Sequence, residues 1–182
     1  MTKLRTLALA LLASAGFAGA ASAADFSEPY TPYTPTYSAF NFEGFYIGVT
    51  GGGIWDGTSA YLVAPDTAAF SVGGVAGVNF FLTDTVLGGL EVQGSVDVGT
   101  SGTVFDGFLL GRLGFAPSDN VMVYAAGGPG IAGGTGVYGI GGGVEFAATD
   151  SMSVRGELLG IGTWGAAPDA AKATVGLLWH MQ

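Results

Sequence analysis

The sequence contains no cysteine and a single histidine, His180. The first absence excludes thiol catalysis, cysteine-ligated metals and disulfide staples. The second excludes a metal site built from several histidines. Charged residues make up only 10% of the chain, and cations are the scarcer sign: 5 Lys and Arg against 14 Asp and Glu. So acidic a surface is a poor partner for nucleic acid, and none is expected. Beyond the first residues, glycine and acids interrupt every apolar run before the ~20 residues that a membrane helix needs. Yet the mean hydropathy is +0.50, high for a soluble domain. A β-sandwich or a membrane β-barrel remains, and periodicity decides between them.

Lys3 and Arg5 precede an apolar run from Leu7 to Ala13, and small residues follow to Ala21-Ser22-Ala23. This is the pattern of a secretory signal peptide, expected over residues 1–23 and cut after Ala23 or Ala24. Its removal takes Lys3 and Arg5 and leaves Arg112, Arg155 and Lys172 as the cations of the exported chain. In residues 24–43, Pro29, Pro32 and Pro35 alternate with Tyr30, Tyr33 and Tyr37. That spacing favours extended, polyproline-like backbone and predicts a periplasmic tether. Through it the protein could reach peptidoglycan or a periplasmic partner.

From Gly44 onward, turn signals recur at Thr83-Asp84-Thr85, Ser118-Asp119-Asn120 and Thr149-Asp150-Ser151. Short turns of this kind close hairpins, since the Asp side chain can accept hydrogen bonds from nearby amides. Each interval holds two strands of about ten residues and a loop. The spacing predicts strands at 44–55, 69–81, 86–98, 103–115, 121–131, 136–147, 152–163 and 171–181. The predicted fold of 44–182 is therefore all-β, an eight-stranded antiparallel up-and-down transmembrane barrel.

Alternation gives the barrel its two faces. Leu90, Val92, Val96 and Val98 oppose Glu91, Gln93, Ser95 and Asp97; Phe105, Leu109, Leu113 and Phe115 oppose Asp106 and Arg112. Val154 and Leu158 oppose Ser153, Arg155 and Glu157, and Val175, Leu177, Trp179 and Met181 oppose Lys172, Thr174 and His180. All the cations thus share a face with acids. In a sandwich that face would be the outside; in a barrel it is the lumen. Glu91, Arg112, Glu145, Arg155, Glu157 and Lys172 are predicted to form one ionic network across the bore, with Gln93 and Asp106 near it. Arg112 with Glu91, and Glu145 with Arg155, are the expected cross-strand neighbours. Phe80, Phe115, Phe146 and Trp179 fall near the short turns and Trp55 and Trp164 near the opposite ends, as the two aromatic belts of a membrane barrel would.

The segments FEGFYIGVTGGG, LTDTVLGGLEVQG, GRLGFAPSDNVMVYAAGG, GGGVEFAATDSMSVRGELL and ATVGLLW resemble the small, porin-like outer-membrane β-barrel family of alphaproteobacteria. The resemblance covers most of the chain from Gly44. It implies a structural or porin-like surface protein of the bacterial outer membrane, placed there by the outer-membrane assembly machinery and surrounded by its lipids. Some similar proteins bind haem. Family members end in an aromatic residue used in assembly, whereas this chain ends Trp179-His180-Met181-Gln182, so Trp179 is the candidate for that role.

The remaining motifs carry little chemistry. The glycine run Gly127 to Gly143 lacks the Gly-Lys-Ser/Thr of a phosphate loop and suits a narrow, curved sheet instead. His180 is expected at the periplasmic rim. A hydrolytic triad could use it with Glu157 or Glu145, and Ser153 is the one serine placed near it. The expected function is a non-catalytic, structural barrel without cofactor. A narrow channel or a haem- or ligand-binding surface protein is the alternative, and a barrel enzyme stands behind both. Eight strands leave an interior that side chains just fill, and the outer loops, 56–68, 99–102, 132–135 and 164–170, are short for a receptor.

Overall fold

The computed structural model describes residues 40–57 and 61–181. The signal-peptide assignment and most of the tether lie outside the described residues. Eight strands follow one another: β1 (Gly44–Trp55), β2 (Ala68–Phe81), β3 (Val86–Val98), β4 (Thr103–Ser118), β5 (Val121–Ala132), β6 (Thr135–Ala147), β7 (Met152–Thr163) and β8 (Ala170–Met181). Each pairs antiparallel with the next, and β8 returns to β1 to close the barrel. Closure leaves no unpaired edge.

The alternation decides which way each strand faces. Leu90 is 56% exposed and Leu158 59%, while the acids beside them in sequence, Glu91 and Glu157, are buried. Phe45, Val72, Leu109, Ile140 and Val175 are exposed in the same way around the wall. An apolar exterior over a charged interior inverts the arrangement of a soluble protein and is the arrangement that hydrocarbon selects. The barrel is a transmembrane one. The β2–β3, β4–β5 and β6–β7 turns, the start of β1 and the finish of β8 lie at one end, termed here the turn end, and the other connections, including the two longest, β1–β2 and β7–β8, lie at the other, the loop end.

Strand limits match the predicted ones to within a residue, except in β4. That strand continues three residues further, to Ser118, through a register shift between Phe115 and Ser118. Pro117 has no amide hydrogen to give a ladder, so a bulge is its natural place. The turns differ in chemistry from the prediction. Thr83 Oγ1 accepts from Val86 N at 3.1 Å and Thr149 Oγ1 from Met152 N at 3.1 Å, while Asp84 and Asp150 point to solvent. A hydroxyl one residue earlier reaches the returning strand, and the carboxylates stay hydrated.

Candidate functional site

Inside the wall, the network centres on Glu91 of β3. Arg112 Nη1 lies 3.1 Å from Glu91 Oε2 and Arg155 Nη1 lies 2.5 Å from the same oxygen, so one carboxylate serves two guanidinium groups. Tyr46 Oη donates to that oxygen at 2.6 Å and itself accepts from Arg112 Nη1. Gln93 Nε2 donates to Glu91 Oε1 and to Glu157 Oε1, both at 2.7 Å, and Tyr124 Oη donates to Glu157 Oε2 at 2.6 Å. Arg112 lies between two rings, its Cζ 3.9 Å from the Tyr124 centroid and 5.4 Å from that of Tyr46. Guanidinium planes tolerate this place because they are weakly hydrated and stack on aromatic faces. Glycine makes room for both tyrosines: a Cβ at Gly77 would collide with Tyr46 Oη, and one at Gly143 with Tyr124 Oη.

The structure divides the predicted set in two. Glu91, Arg112, Glu145, Arg155 and Glu157 come together, but Lys172 does not join them. Lys172 Nζ lies 3.1 Å from Asp97 Oδ1, pairs with Asp106 Oδ2 and donates to Ser95 Oγ at 2.6 Å, forming a second cluster nearer the loop end. Along β4, Phe108 and Leu110 separate Asp106 from Arg112, and both are buried. A lysine stem on β8 reaches the acids of β3 and β4 at its own depth more easily than Glu91 below them. Glu145 and Arg155 are opposite in register, as expected, yet form no ion pair. Arg155 instead crosses the bore to Glu91, and Arg112 Nη2 meets Glu145 Oε2 at 3.4 Å. Partners in the lumen are chosen across the barrel as well as along the sheet.

Besides His180, five participants were not singled out for the network: Tyr46, Tyr124, Ser153, Ser95 and Asp97. Each lies on the inward parity of its strand, opposite Phe45, Val123, Val154 and Val96, which is the signal that marks them. His180 departs from the expected rim position and is buried inside the turn end. Its Nε2 lies 2.9 Å from Glu145 Oε1 and 3.0 Å from Ser153 Oγ, and Ser153 Oγ donates to Glu145 Oε1 at 2.6 Å. Serine, histidine and carboxylate do meet, but both partners use the same ring nitrogen. A hydrolytic relay needs the serine on one nitrogen and the carboxylate on the other. Nδ1 has no hydrogen-bond partner. No group of three or more His, Asp or Glu that could hold a metal occurs among the described residues.

Both ends of the lumen are stopped by side chains. At the turn end, two of the residues 40–43, assigned to the outer tether from their sequence, turn their side chains inward. Phe40 and Phe42 are buried, with their centroids 4.8 and 6.2 Å from the His180 ring. Residues 40–43 therefore belong with the barrel, since two phenylalanines gain more from burial in one cluster with Leu87, Ala116 and Met122 at the mouth than from water. At the loop end, Tyr61 and Leu62 of the β1–β2 connection are buried in one cluster with Ile54, Val137 and Ile161.

Asp66 fastens this connection: it accepts from Thr100 Oγ1, from Ser101 N at 2.7 Å and from Ser101 Oγ at 3.2 Å. These bonds, that from Thr100 foremost, hold its carboxyl below the usual range. A depressed carboxylate contributes stability above its unfolded pKa and loses it as pH falls through its folded one. Protection of the Ser101 amide in NMR hydrogen exchange should persist through the ordinary carboxylate range, about pH 4, and fail only below it. In Asp66→Ala that protection should already be reduced severalfold at neutral pH. Equal protection in both proteins would show that Asp66 fastens nothing.

No family model matches the sequence, and no curated protein matches it. Solved structures do match. The N-terminal β-barrel domain of OprF from Pseudomonas aeruginosa is similar at 16% identity, covering 75% of this chain and 97% of that chain with a TM-score of 0.51. Ail, the attachment invasion locus protein of Yersinia pestis, is similar at 11% identity, covering 76% of this chain and 98% of that chain with a TM-score of 0.50. The likeness is one of fold: the whole barrel of each corresponds to the barrel of this chain.

Proposed function

We propose that this protein is a non-catalytic, structural component of a bacterial outer membrane, exported by a cleaved signal peptide. The observation that carries the reading is a lumen crossed by buried ion pairs. The Glu91–Arg112–Arg155 network and the Lys172–Asp97–Asp106 cluster occupy it, and aromatic side chains stop both ends. Such an interior ties opposite walls together and leaves no aqueous path. The apolar exterior faces the lipids. Val175, Leu177, Trp179 and Met181 on the outside of β8 suit recognition by the assembly machinery, and residues 24–39 reach peptidoglycan or a periplasmic partner. The motifs quoted from Gly44 onward support membership of the alphaproteobacterial porin-like family. The turn end is then periplasmic.

Planar-bilayer recording tests the reading directly. The purified protein should give no large, stable conductance proportional to salt. Such a conductance from the unmodified protein, with its heat-modifiable folded form verified on gels, would replace the structural barrel by a channel.

A further inference from the structure

We infer that a cleft at the turn end, between the β2–β3 turn, the β4–β5 turn and residues 40–42, docks an arginine side chain presented by a basic segment of another periplasmic protein. The inference rests on the reading above only in taking the turn end as periplasmic.

The cleft has a volume of about 290 Å³. That lies below the ~300–1,000 Å³ of sites that hold whole small molecules, so its size suits one long side chain. Phe40, Phe42, Phe81 and Ala116 supply an apolar lining, and Asp84 and Asp119 stand at its rim. Packing fixes most of this lining: Phe40, Phe42 and Ala116 are buried in one cluster with Leu87 and Met122, while Phe81 keeps 39% of its surface exposed. Arginine answers both parts of such a cleft. Its methylene stem covers apolar surface, and its weakly hydrated guanidinium stacks on an aromatic ring while its fork of donors meets carboxylates. Phe81 is the exposed ring, and Asp84 and Asp119 are the carboxylates.

The charge of the rim selects the partner. Asp84 and Asp119 are exposed, and neither carboxylate makes a hydrogen bond or ion pair among the described residues. Glu43 and Asp150 are exposed at the same end. The chain itself has no cationic side chain to offer them. Beyond residue 23 these are Arg112, Arg155 and Lys172, all buried in the lumen, and residues 24–39 contain none. An anionic rim that its own chain cannot neutralise attracts a net-cationic segment and repels an anionic one. Peptidoglycan fits less well, because the amine of its diaminopimelate stands beside a carboxylate and the rim holds no cation to meet that group.

NMR of the folded protein in uncharged detergent micelles tests the site, with acetyl-Ala-Arg-Ala-amide as the probe and the heat-modifiable folded form verified for every variant. The backbone amides of Asp84 and Asp119 should shift saturably, with a dissociation constant on the order of 1 mM. The same peptide with citrulline in place of arginine keeps the shape without the charge and should leave them unmoved. Asp84→Asn with Asp119→Asn should weaken the arginine peptide at least about fivefold, the scale of two exposed charge pairs, and Phe81→Ala should weaken it as well. Asp150→Asn removes a charge at the same end but outside the cleft and should change nothing. No saturable shift at Asp84 and Asp119 would overturn the site and leave the structural barrel standing. Equal weakening by Asp150→Asn would reduce the site to diffuse attraction of charge. Shifts of the same amides by a soluble diaminopimelate muropeptide, and not by the arginine peptide, would overturn the proposed partner in favour of the cell wall. A large conductance in bilayer recording would overturn the structural reading without altering these shifts.

Discussion

Glu91→Gln is expected to destabilise the barrel by about 3–5 kcal/mol, the cost of removing one partner from a buried ion pair. The substitution keeps the size of the side chain and deletes the one anion within salt-bridge distance of both Arg112 and Arg155. Arg155 would be left with no carboxylate that close, while Arg112 would retain only Glu145 at 3.4 Å. The residual guanidinium charge would stay buried, and it cannot be shed by deprotonation. Glu157→Gln is the informative comparison. Glu157 is held by Tyr124 Oη and Gln93 Nε2, both neutral donors. Its replacement should cost only about 1–3 kcal/mol, the range for hydrogen bonds to a charged group. Urea titration in lipid vesicles, followed by tryptophan fluorescence, gives both values. A Glu91→Gln cost no larger than that of Glu157→Gln would remove Glu91 from the centre of the network.

Leu158→Arg is expected to cost about 2–4 kcal/mol, the value for a cation on the lipid face near mid-membrane. Leu158 sits midway along β7, opposite Gly142 on β6 and Ala173 on β8, and is among the most exposed leucines of the wall. Thr174→Arg is the control. Thr174 lies on the inward parity of β8, opposite Glu157 in register. A cation there would meet a carboxylate that has no ion pair of its own, so the cost should be smaller despite the larger side chain. The same titration compares the two. The reverse order would mean that the side chains of β7 and β8 are turned by one residue, because a slip of one exchanges the two faces of a strand.

Much of this architecture was legible along the chain. The alternation at 86–98 placed Glu91 inside and Leu90 outside, and the recurrent turns at Asp84, Asp119 and Asp150 separated the strands. Both signals are local: a period of two and a turn of two or three residues need no knowledge of distant parts. The pairing of charges was less accessible. Glu145 and Arg155 are true cross-strand neighbours and still choose other partners, because a narrow bore brings β7 within reach of β3 as readily as of β6. The stoppers were not legible at all. Phe40 and Phe42 follow a Pro- and Tyr-rich stretch without periodicity, and Tyr61 and Leu62 lie in a connection. Nothing in such segments states which way they fold.

The sequence by itself determined the strand count, the order of the strands and the face each residue presents. These follow from steric alternation of the pleated backbone and from the exclusion of charge from hydrocarbon, which act on every residue through its immediate neighbours. Only the tertiary structure decided that the charges divide into two clusters, that His180 is buried, and that chain segments on either side of β1 turn back to stop the bore. Closing the sheet sets the diameter and stagger of the barrel, and these fix which side chains meet across it. That distance is a property of all eight strands together.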